Sequence, residues 1–260
     1  MICDRVFAVV VPMANEQETI KKFSDSLRSV LDSLAAGHVY IVVDKVSTDE
    51  TLTLANQLSE TDDRFSTIWA PENRNIVDAY IRGLREAYAC GYKAIIEMDG
   101  GLSHDPNEIP NFLKALSEGN QCVFGSRYVH GGRSIDPAIK RAFLSKGGTI
   151  LSNLLLGSKL KDMTSGFEAF DRKVLEKILS YPLKSRAHFF QTEIRYLLRY
   201  TKYKEIPIVY KYPSNSISNK AISNSIYCLC YYFFLRILGR APSLISHPGE
   251  IAAAKEGIKQ

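Results

Sequence analysis

The strongest restriction on this chain is the regular alternation, across its first half, of short β-rich apolar runs with apolar stripes at helical spacing. Val6–Val11 is too short for an average helix and rich in β-branched residues, which predicts a buried first strand. From Glu18 onward Ile20, Phe23, Leu27, Val30, Leu31 and Leu34 recur at three- and four-residue steps, an amphipathic helix ending near Gly37. Val39–Val43 reads as the second strand, with Ser47 or Thr48 as the expected N-cap of a helix through Leu58. Thr67–Trp69, a helix over Ile76–Tyr88, a strand Tyr92–Met98, a helix near Glu108–Leu116 and a strand Gln121–Phe124 continue the series. Strands joined by helices take right-handed crossovers in a largely parallel sheet, so the expected class is α/β.

Two of these strands end in a carboxylate, Asp44 and Asp99, and in such a sheet both reach the carboxyl edge, where ligands bind. Gly100 and Gly101 let another group approach the backbone beside Asp99, and Ser103, His104 and Asp105 add polar atoms within one turn. The alternative is an ordinary strand-to-helix turn whose Asp or Ser caps the helix after Pro106.

Beyond Phe124 the texture changes. Ile139–Leu156 has apolar residues at helical steps, Asp171–Leu179 reads as another helix, and His188–Glu193 opens one more. Tyr203–Tyr210 contains Pro207 and is expected at an edge or as an irregular strand. Residues 213–224 are Ser/Asn-rich and loop-like, and those after Pro242 read as a mobile tail. Ile226–Leu235 is shorter than the roughly 20 apolar residues that span a bilayer, yet very aromatic and flanked by Arg236 and Arg240. A helix lying in a membrane interface fits it; a terminal helix packed on the domain or on a partner is the alternative. The expected division is a domain over 1–212 and an appendage over 213–260.

With 260 residues, 45% hydrophobic and 23% charged, the chain has neither the composition of a disordered protein nor that of a multi-span membrane protein. The net charge of +5 suits an anionic small ligand or a membrane surface, and without a concentrated basic stripe it disfavours nucleic acid. Five cysteines with no CxxC pair point away from a disulfide framework and towards a reducing, cytoplasmic setting. The first strand begins almost at once, without a basic region and cleavage site, and reads as core rather than signal peptide.

Five motifs in order carry a family resemblance. They are Val10-Val-Pro12-Met-Ala-Asn15-Glu16; Val43-Asp44 with Ser47-Thr-Asp49-Glu-Thr51; Met98-Asp99 with Leu102-Ser-His104; Gly125-Ser-Arg-Tyr128 with Gly131-Gly132; and Thr164-Ser-Gly-Phe167. Over residues 6–212 the chain resembles inverting family 2 glycosyltransferases, most of all the branch of dolichol-phosphate mannose synthase and other polyprenyl-phosphate sugar transferases. The resemblance implies a single-domain glycosyltransferase-A fold, Rossmann-like with a mostly parallel sheet, carrying a C-terminal amphipathic helical appendage. It implies a GDP- or UDP-linked nucleotide sugar as donor, a polyprenyl phosphate as acceptor, and a peripheral position at the inner face of a membrane.

Carried onto this sequence, the resemblance implies that Pro12, Asn15 and Glu16 line the nucleotide pocket and that Asp44 meets the base or ribose. Asp99 would hold Mg2+ or Mn2+ on the diphosphate. Ser126, Arg127, Arg141, Ser145 and Gln191 would serve the acceptor side, and Glu193 would stand beside the active site. The chain departs from the branch at three places. Gly101 stands where a second motif Asp is usual, which weakens the metal site; Lys45 replaces an acid; Glu168 follows the Thr-Ser-Gly-Phe motif where a basic residue is common. With one motif acid, Ser103, Asp105 or Glu193 would supplement the ion, or Lys45 and Arg74 would meet the donor directly. A lipid phosphate needs no general base, leaving Arg127 and Arg141 as clamps, whereas a sugar hydroxyl needs one, from Glu193 or Asp162. His104 is expected to fix its loop rather than act as a base. The competing readings are a sugar-hydroxyl transferase of surface polysaccharide synthesis and a catalytically silent nucleotide-sugar-binding homologue. A dinucleotide oxidoreductase is disfavoured because the loop after the first strand has no glycine.

Overall fold

Seven consecutive residues, Phe7–Met13, form β1 and are all buried, because the strand has neighbours on both edges and apolar side chains on both faces. It is followed by α1 (Ile20–Leu34), β2 (Gly37–Val43), α2 (Thr51–Thr61), β3 (Phe65–Trp69), α3 (Ile76–Ala89) and β4 (Ala94–Glu97). After a 3-10 turn at Pro106–Glu108 come α4 (Ile109–Ser117), β5 (Cys122–Ser126), β6 (Arg133–Ile135), α5 (Ile139–Leu156) and β7 (Glu168–Asp171). Then follow α6 (Arg172–Ser180), α7 (Phe189–Leu197), β8 (Tyr203–Pro207), β9 (Val209–Lys211) and α8 (Asn219–Ile237). The computed structural model describes residues 6–34, 37–135, 139–211 and 218–245, and of 139–144 the backbone alone.

The main sheet has the order β3-β2-β1-β4-β7-β5-β8. β1 pairs in parallel with β2 and with β4, which puts the chain ends after Met13, Val43 and Glu97 on one edge. Alternate β1 residues feed two cores. Ala8 and Val10 pack with Tyr80 and Leu84 of α3 and with Phe190 and Ile194 of α7; Val9 and Val11 pack with Phe23 and Leu27 of α1 and Phe112 of α4. Gly83 lets α3 lie directly on the sheet, since a Cβ there would overlap Val10 and stand 2.9 Å from Val42.

The expected alternation is present, with additions and corrections. β7 enters antiparallel between β4 and β5, and β6 pairs with β9 in a separate two-stranded sheet. A short strand-like piece is expected between Phe167 and Asp171, but neither its antiparallel place nor the β6–β9 pairing leaves a local pattern in strands of three or four residues. α2 starts at Thr51, not at Ser47 or Thr48: Asp49 Oδ1 accepts from the Thr51 N–H, while Ser47 Oγ accepts from the Asn15 N–H. α8 begins at Asn219, capped by Ser218, so the expected loop over 213–224 is partly helix; 212–217 lie outside the described residues. Beyond Pro242, Ser243 and Leu244 donate to the Leu197 carbonyl, so at least this part of the expected tail is tied down. β8 lies at the sheet edge, as its proline required. α8 buries Cys228, Leu229 and Tyr232 in the core shared with α3 and α7. The four described cysteines are free.

Glu97 and Glu168 face each other directly across β4 and β7, both fully buried. Neither Glu97 oxygen has a hydrogen-bond partner, whereas Glu168 pairs with Arg195 at 2.7 Å. Burial, with the Glu168 charge adding to it, pushes the Glu97 carboxyl well above its ordinary value of 4.5, so it keeps its proton at a pH where a free glutamate has lost it. The unfolded chain releases that proton from about pH 4.5 upward while the native state keeps it, so stability falls as pH rises, by up to about 1.4 kcal/mol per pH unit. Glu97→Gln, which mimics the neutral acid, is expected to flatten this fall and to raise the melting temperature more at pH 8 than at pH 5. An unchanged pH dependence in thermal denaturation would count against the buried proton.

Candidate active site

Asp99 follows β4 by two residues, and its side chain is 35% exposed at the sheet edge rather than turned into the core. Tyr80, reaching across from α3, donates its hydroxyl to Asp99 Oδ1 at 2.6 Å. The Asp99 N–H donates to His104 Nδ1 at 3.1 Å. That bond leaves the imidazole proton on Nε2, and burial lowers the His104 pKa, so the ring is neutral and closes the loop, stacked on Phe167. No charged pair with Asp99 Oδ2, 3.8 Å away, is formed.

Gly166 is the floor on which Asp99 and Gln191 converge. A Cβ there would overlap Gln191 Nε2 and stand 3.0 Å from Asp99 Oδ1, so only a glycine lets the amide of α7 face the acid of the β4 loop. The two glycines after Asp99 serve the other side. A Cβ on Gly100 would lie 2.8 Å from the Pro12 carbonyl oxygen, and one on Gly101, at φ +74°, would lie 2.9 Å from Glu16 Oε2. The loop after β4 is thereby packed against the Pro12–Glu16 turn.

That turn is tied to the loop after β2. Asn15 adopts a left-handed φ of +58°, which asparagine tolerates. Its N–H meets Ser47 Oγ at 3.0 Å, its amide nitrogen the Val46 carbonyl, and its Oδ1 accepts from the Thr48 N–H at 3.0 Å. The Glu16 N–H meets Thr51 Oγ1 at 2.7 Å, and buried Asp44 accepts from the Val46 N–H. Asn15 and Asp44 therefore shape this edge through bonds within the protein.

A second cluster begins at Ser126, fully buried at the end of β5. Arg127 donates from Nε and Nη2 to both oxygens of Asp162, at 2.7 and 2.8 Å, and from Nη2 to Thr164 Oγ1, which also bonds Ser145 Oγ at 2.8 Å. Burial would raise the Asp162 carboxyl, but the Arg127 hydrogen bonds and charge outweigh it and hold it at about 2. The segment 162–167 links the clusters, since it supplies both Asp162 and Gly166. The Arg141 side chain lies outside the described residues.

Four further expected site residues have these surroundings. Glu193 is fully buried, and its oxygens accept from the Lys184 and Ser185 N–H groups and from the Tyr232 hydroxyl, so it anchors α8 and the 184–185 turn instead of facing the Asp99 opening. Lys45 is exposed, and Arg74 is paired with Asp78 at 3.3 Å on the surface. Asp105 is engaged by Lys211 at 2.9 Å and by the Asn107 N–H. Tyr80 was legible only as a core residue of α3, and Arg195 left no signal beyond the unmatched Glu168.

Among the described residues, no three His, Cys, Asp or Glu side chains gather into a ready metal set. One donor present fits a hard cation, the partly open Asp99 carboxylate, which leaves the remaining positions to phosphate oxygens and water; the Gln191 atom facing it across Gly166 is the amide nitrogen, a hydrogen-bond donor.

The profile of glycosyl transferase family 2 matches residues 8–179. The chain belongs to this family. It is 31% identical to polyprenol monophosphomannose synthase of Mycolicibacterium smegmatis over 219 residues, 83% of this chain and 81% of that one. It is 29% identical to undecaprenyl-phosphate mannosyltransferase of Micrococcus luteus over 187 residues, 72% of this chain and 75% of that one. Among solved structures, glucosyl-3-phosphoglycerate synthase of Mycobacterium tuberculosis, in complex with Mn2+, UDP and phosphoglyceric acid, superposes with a TM-score of 0.62. That match has 18% identity, covers 92% of this chain and 79% of that one, and bears on the fold alone. The fold is glycosyltransferase-A-like, and the chain is a glycosyltransferase of the hexosyl-transferring kind.

The Arg127–Asp162 pair gives a test of this geometry. Arg127→Ala leaves a buried carboxylate without its partner and is expected to cost about 3–5 kcal/mol at neutral pH. The depressed Asp162 pKa contributes stability above its ordinary value of 3.8 and loses it as pH falls towards about 2, so the difference between variant and parent should shrink in acid. Chemical denaturation at pH 7 and pH 3 measures both; a pH-independent difference would contradict the pairing.

Proposed function

We propose that this enzyme transfers a hexosyl group, with inversion, from a GDP- or UDP-linked sugar to a polyprenyl phosphate, working at the cytoplasmic face of a membrane. The observation that carries the reading is the Asp99 carboxylate, half-open at the carboxyl edge, fixed at one oxygen by Tyr80 and facing the Gln191 amide across Gly166. The two mannosyltransferases named above, similar over most of the chain, support the acceptor class. The Mn2+ and UDP bound by the structural neighbour support a metal-assisted nucleotide donor.

In this reading the turns after β1 and β2, with Pro12, Asn15, Glu16 and Asp44, receive the nucleotide, and Lys45 and Arg74 stand at the rim. Asp99 would hold Mg2+ or Mn2+, which would supply Lewis-acid stabilisation of the departing diphosphate, while the Gln191 amide N–H, facing the same opening, would serve the acceptor side. An oxygen of the lipid phosphate forms its bond to the anomeric carbon as the bond from that carbon to the diphosphate breaks, and the electron pair leaves with the nucleoside diphosphate. That oxygen is already anionic and needs no base. The two carboxylates weighed as bases for a hydroxyl acceptor are both committed, Asp162 to Arg127 and Glu193 to backbone N–H groups and Tyr232. This favours the phosphate over a sugar hydroxyl. Ser145 and Arg141 would meet the lipid phosphate, while Arg127 orients Thr164 beside Ser145.

Among the described residues no helix is long and apolar enough to cross a membrane. α5 and α8 pack together and leave Ile150, Leu151, Leu154, Ile226, Phe234 and Ile237 exposed. We assign this apolar side to the headgroup region, the address of the acceptor.

Purified protein given nucleotide sugar, Mg2+ or Mn2+ and polyprenyl phosphate should form a lipid-linked sugar, identified by mass spectrometry across a donor panel. Asp99→Asn is expected to reduce turnover by about a hundredfold or more, the scale set by one charge-stabilising group. Gly166→Ala, which crowds Asp99 as it displaces Gln191, should weaken metal-dependent binding of the nucleoside diphosphate by about tenfold, or 1.4 kcal/mol. Nucleotide binding without any turnover would make the chain a silent binding homologue, and transfer confined to sugar hydroxyls would overturn the acceptor assignment.

A further inference from the structure

A cavity of about 370 Å3 opens where the C-terminal ends of α5 and α8 meet the start of β8, with Lys159, Arg199, Arg236, Tyr196 and Tyr203 in its lining. β8 runs parallel to β5, so Tyr203 sits at the sheet edge opposite Ser126 and Arg127, and the cavity is separate from the Asp99 edge. Its lining holds three cationic side chains and no acid, and none of the three forms an ion pair among the described residues. Both guanidiniums are held in place by neutral groups. Arg199 donates from Nη1 to the Tyr196 and Pro242 carbonyls and lies over the Tyr196 and Tyr200 rings. Arg236 donates from Nη1 to the Leu154 and Leu155 carbonyls, and Gly157 leaves room for its other arm, since a Cβ there would stand 2.6 Å from Nη2.

Tyr196 supplies a second, independent sign. The residue is fully buried, yet its hydroxyl has no hydrogen-bond partner. A buried hydroxyl left unpaired costs about 1–3 kcal/mol, and the large majority of such groups in folded proteins are paired. Burial raises the Tyr196 pKa while the Arg199 and Arg236 charges oppose the rise, so the hydroxyl lies within their field. An orphan donor in the field of two guanidiniums, with an ammonium on the same cavity lining, makes the recognition set of a phosphoryl group: planar N–H forks, a point charge and one neutral O–H donor.

We propose that this cavity is a second phosphate-binding site, which takes a phosphate monoester or diester at the sheet edge opposite the transferase centre. The volume lies at the small end of ligand pockets and suits a phosphoryl group with a glycerol- or sugar-sized substituent. Two sources share that chemistry. One is the headgroup of an anionic phospholipid, since exposed Leu154 and Ile237 flank the cavity on α5 and α8; the other is a free phosphate ester.

The test uses the full chain and two variants that break no described hydrogen bond: Tyr196→Phe, which removes only the orphan hydroxyl, and Lys159→Ala. With Mg2+ in the buffer, Asp99→Ala serves as the control for phosphate bound through a cation at the transferase centre. Calorimetric titration with inorganic phosphate and with glycerol 3-phosphate, and co-sedimentation with phosphatidylcholine vesicles with and without phosphatidylglycerol, read the two sources separately. Saturable binding that each cavity variant weakens by about tenfold and that Asp99→Ala leaves unchanged supports the site. Loss confined to the free esters names a soluble ligand, and loss confined to phosphatidylglycerol vesicles names a headgroup. Binding that the cavity variants leave intact, or that Asp99→Ala abolishes, or equal sedimentation with both vesicle types together with no saturable binding of either free ester, overturns the proposal.

Discussion

Arg195 has no exposed surface, and its guanidinium meets Glu168 Oε1, the Asp162 carbonyl and the Ser165 carbonyl, with the Phe124 ring 4.8 Å away. The whole of segment 162–167 is hung on this one side chain. A buried ion pair gives back in desolvation much of what its attraction supplies, so its net contribution to stability is small; its effect is to admit one arrangement of the groups around it. Here that arrangement sets both halves of the site. Asp162 is held where it grips Arg127, and Gly166 is held where Asp99 and Gln191 can face each other. Were the guanidinium absent, Glu168 would lie unpaired against Glu97, and two backbone carbonyls would lose their donors.

The same crowding explains the missing acid at position 101. Gly101 takes a left-handed φ of +74°, and the volume a side chain would enter is filled by the Glu16 carboxylate. An aspartate there would meet that carboxylate at close range, with like charges adding to backbone strain. A single motif acid has a chemical consequence. In the proposed reading a hard cation with one protein carboxylate would draw most of its remaining ligands from phosphate oxygens and water, so its affinity for the protein would rise with the diphosphate in place. Metal and donor would then bind as a pair.

The parallel framework was legible because its strands are long runs ending in acids and its helices carry clean stripes. Asp44 and Asp99 fall on one edge, as the alternation required. What escaped was decided by contacts between distant segments. β7 is four residues long and owes its antiparallel place to register with β4 and β5, which no local pattern records. Tyr80 has the spacing of a core residue and is one, yet its hydroxyl ends on Asp99. Glu193 lies in a motif that points to the active site, but fold closure uses its carboxylate to bind α8 through Tyr232. Gln191, two residues earlier on the same helix, faces the other way, and that rotation separates a donor to the site from a structural anchor.

α5 joins the two ends of this arrangement. Ser145 bonds Thr164 in the acceptor cluster, and Leu156 lines the cationic cavity; at 1.5 Å per residue they are about 16 Å apart along the helix. Between them Ile150, Leu151 and Leu154 point to solvent, Leu154 with 73% of its surface free. If both clusters take phosphate as proposed, α5 carries phosphate-binding groups near both ends with bare apolar residues between them, a match to a surface that offers phosphates in a plane above hydrocarbon. The apolar stretch alone gives no direction to the contact. In the proposed reading, phosphate contacts at the acceptor cluster and at the cationic cavity would fix how the molecule lies on such a plane, and would hold the acceptor cluster at headgroup level, where a lipid phosphate could meet it without leaving the membrane.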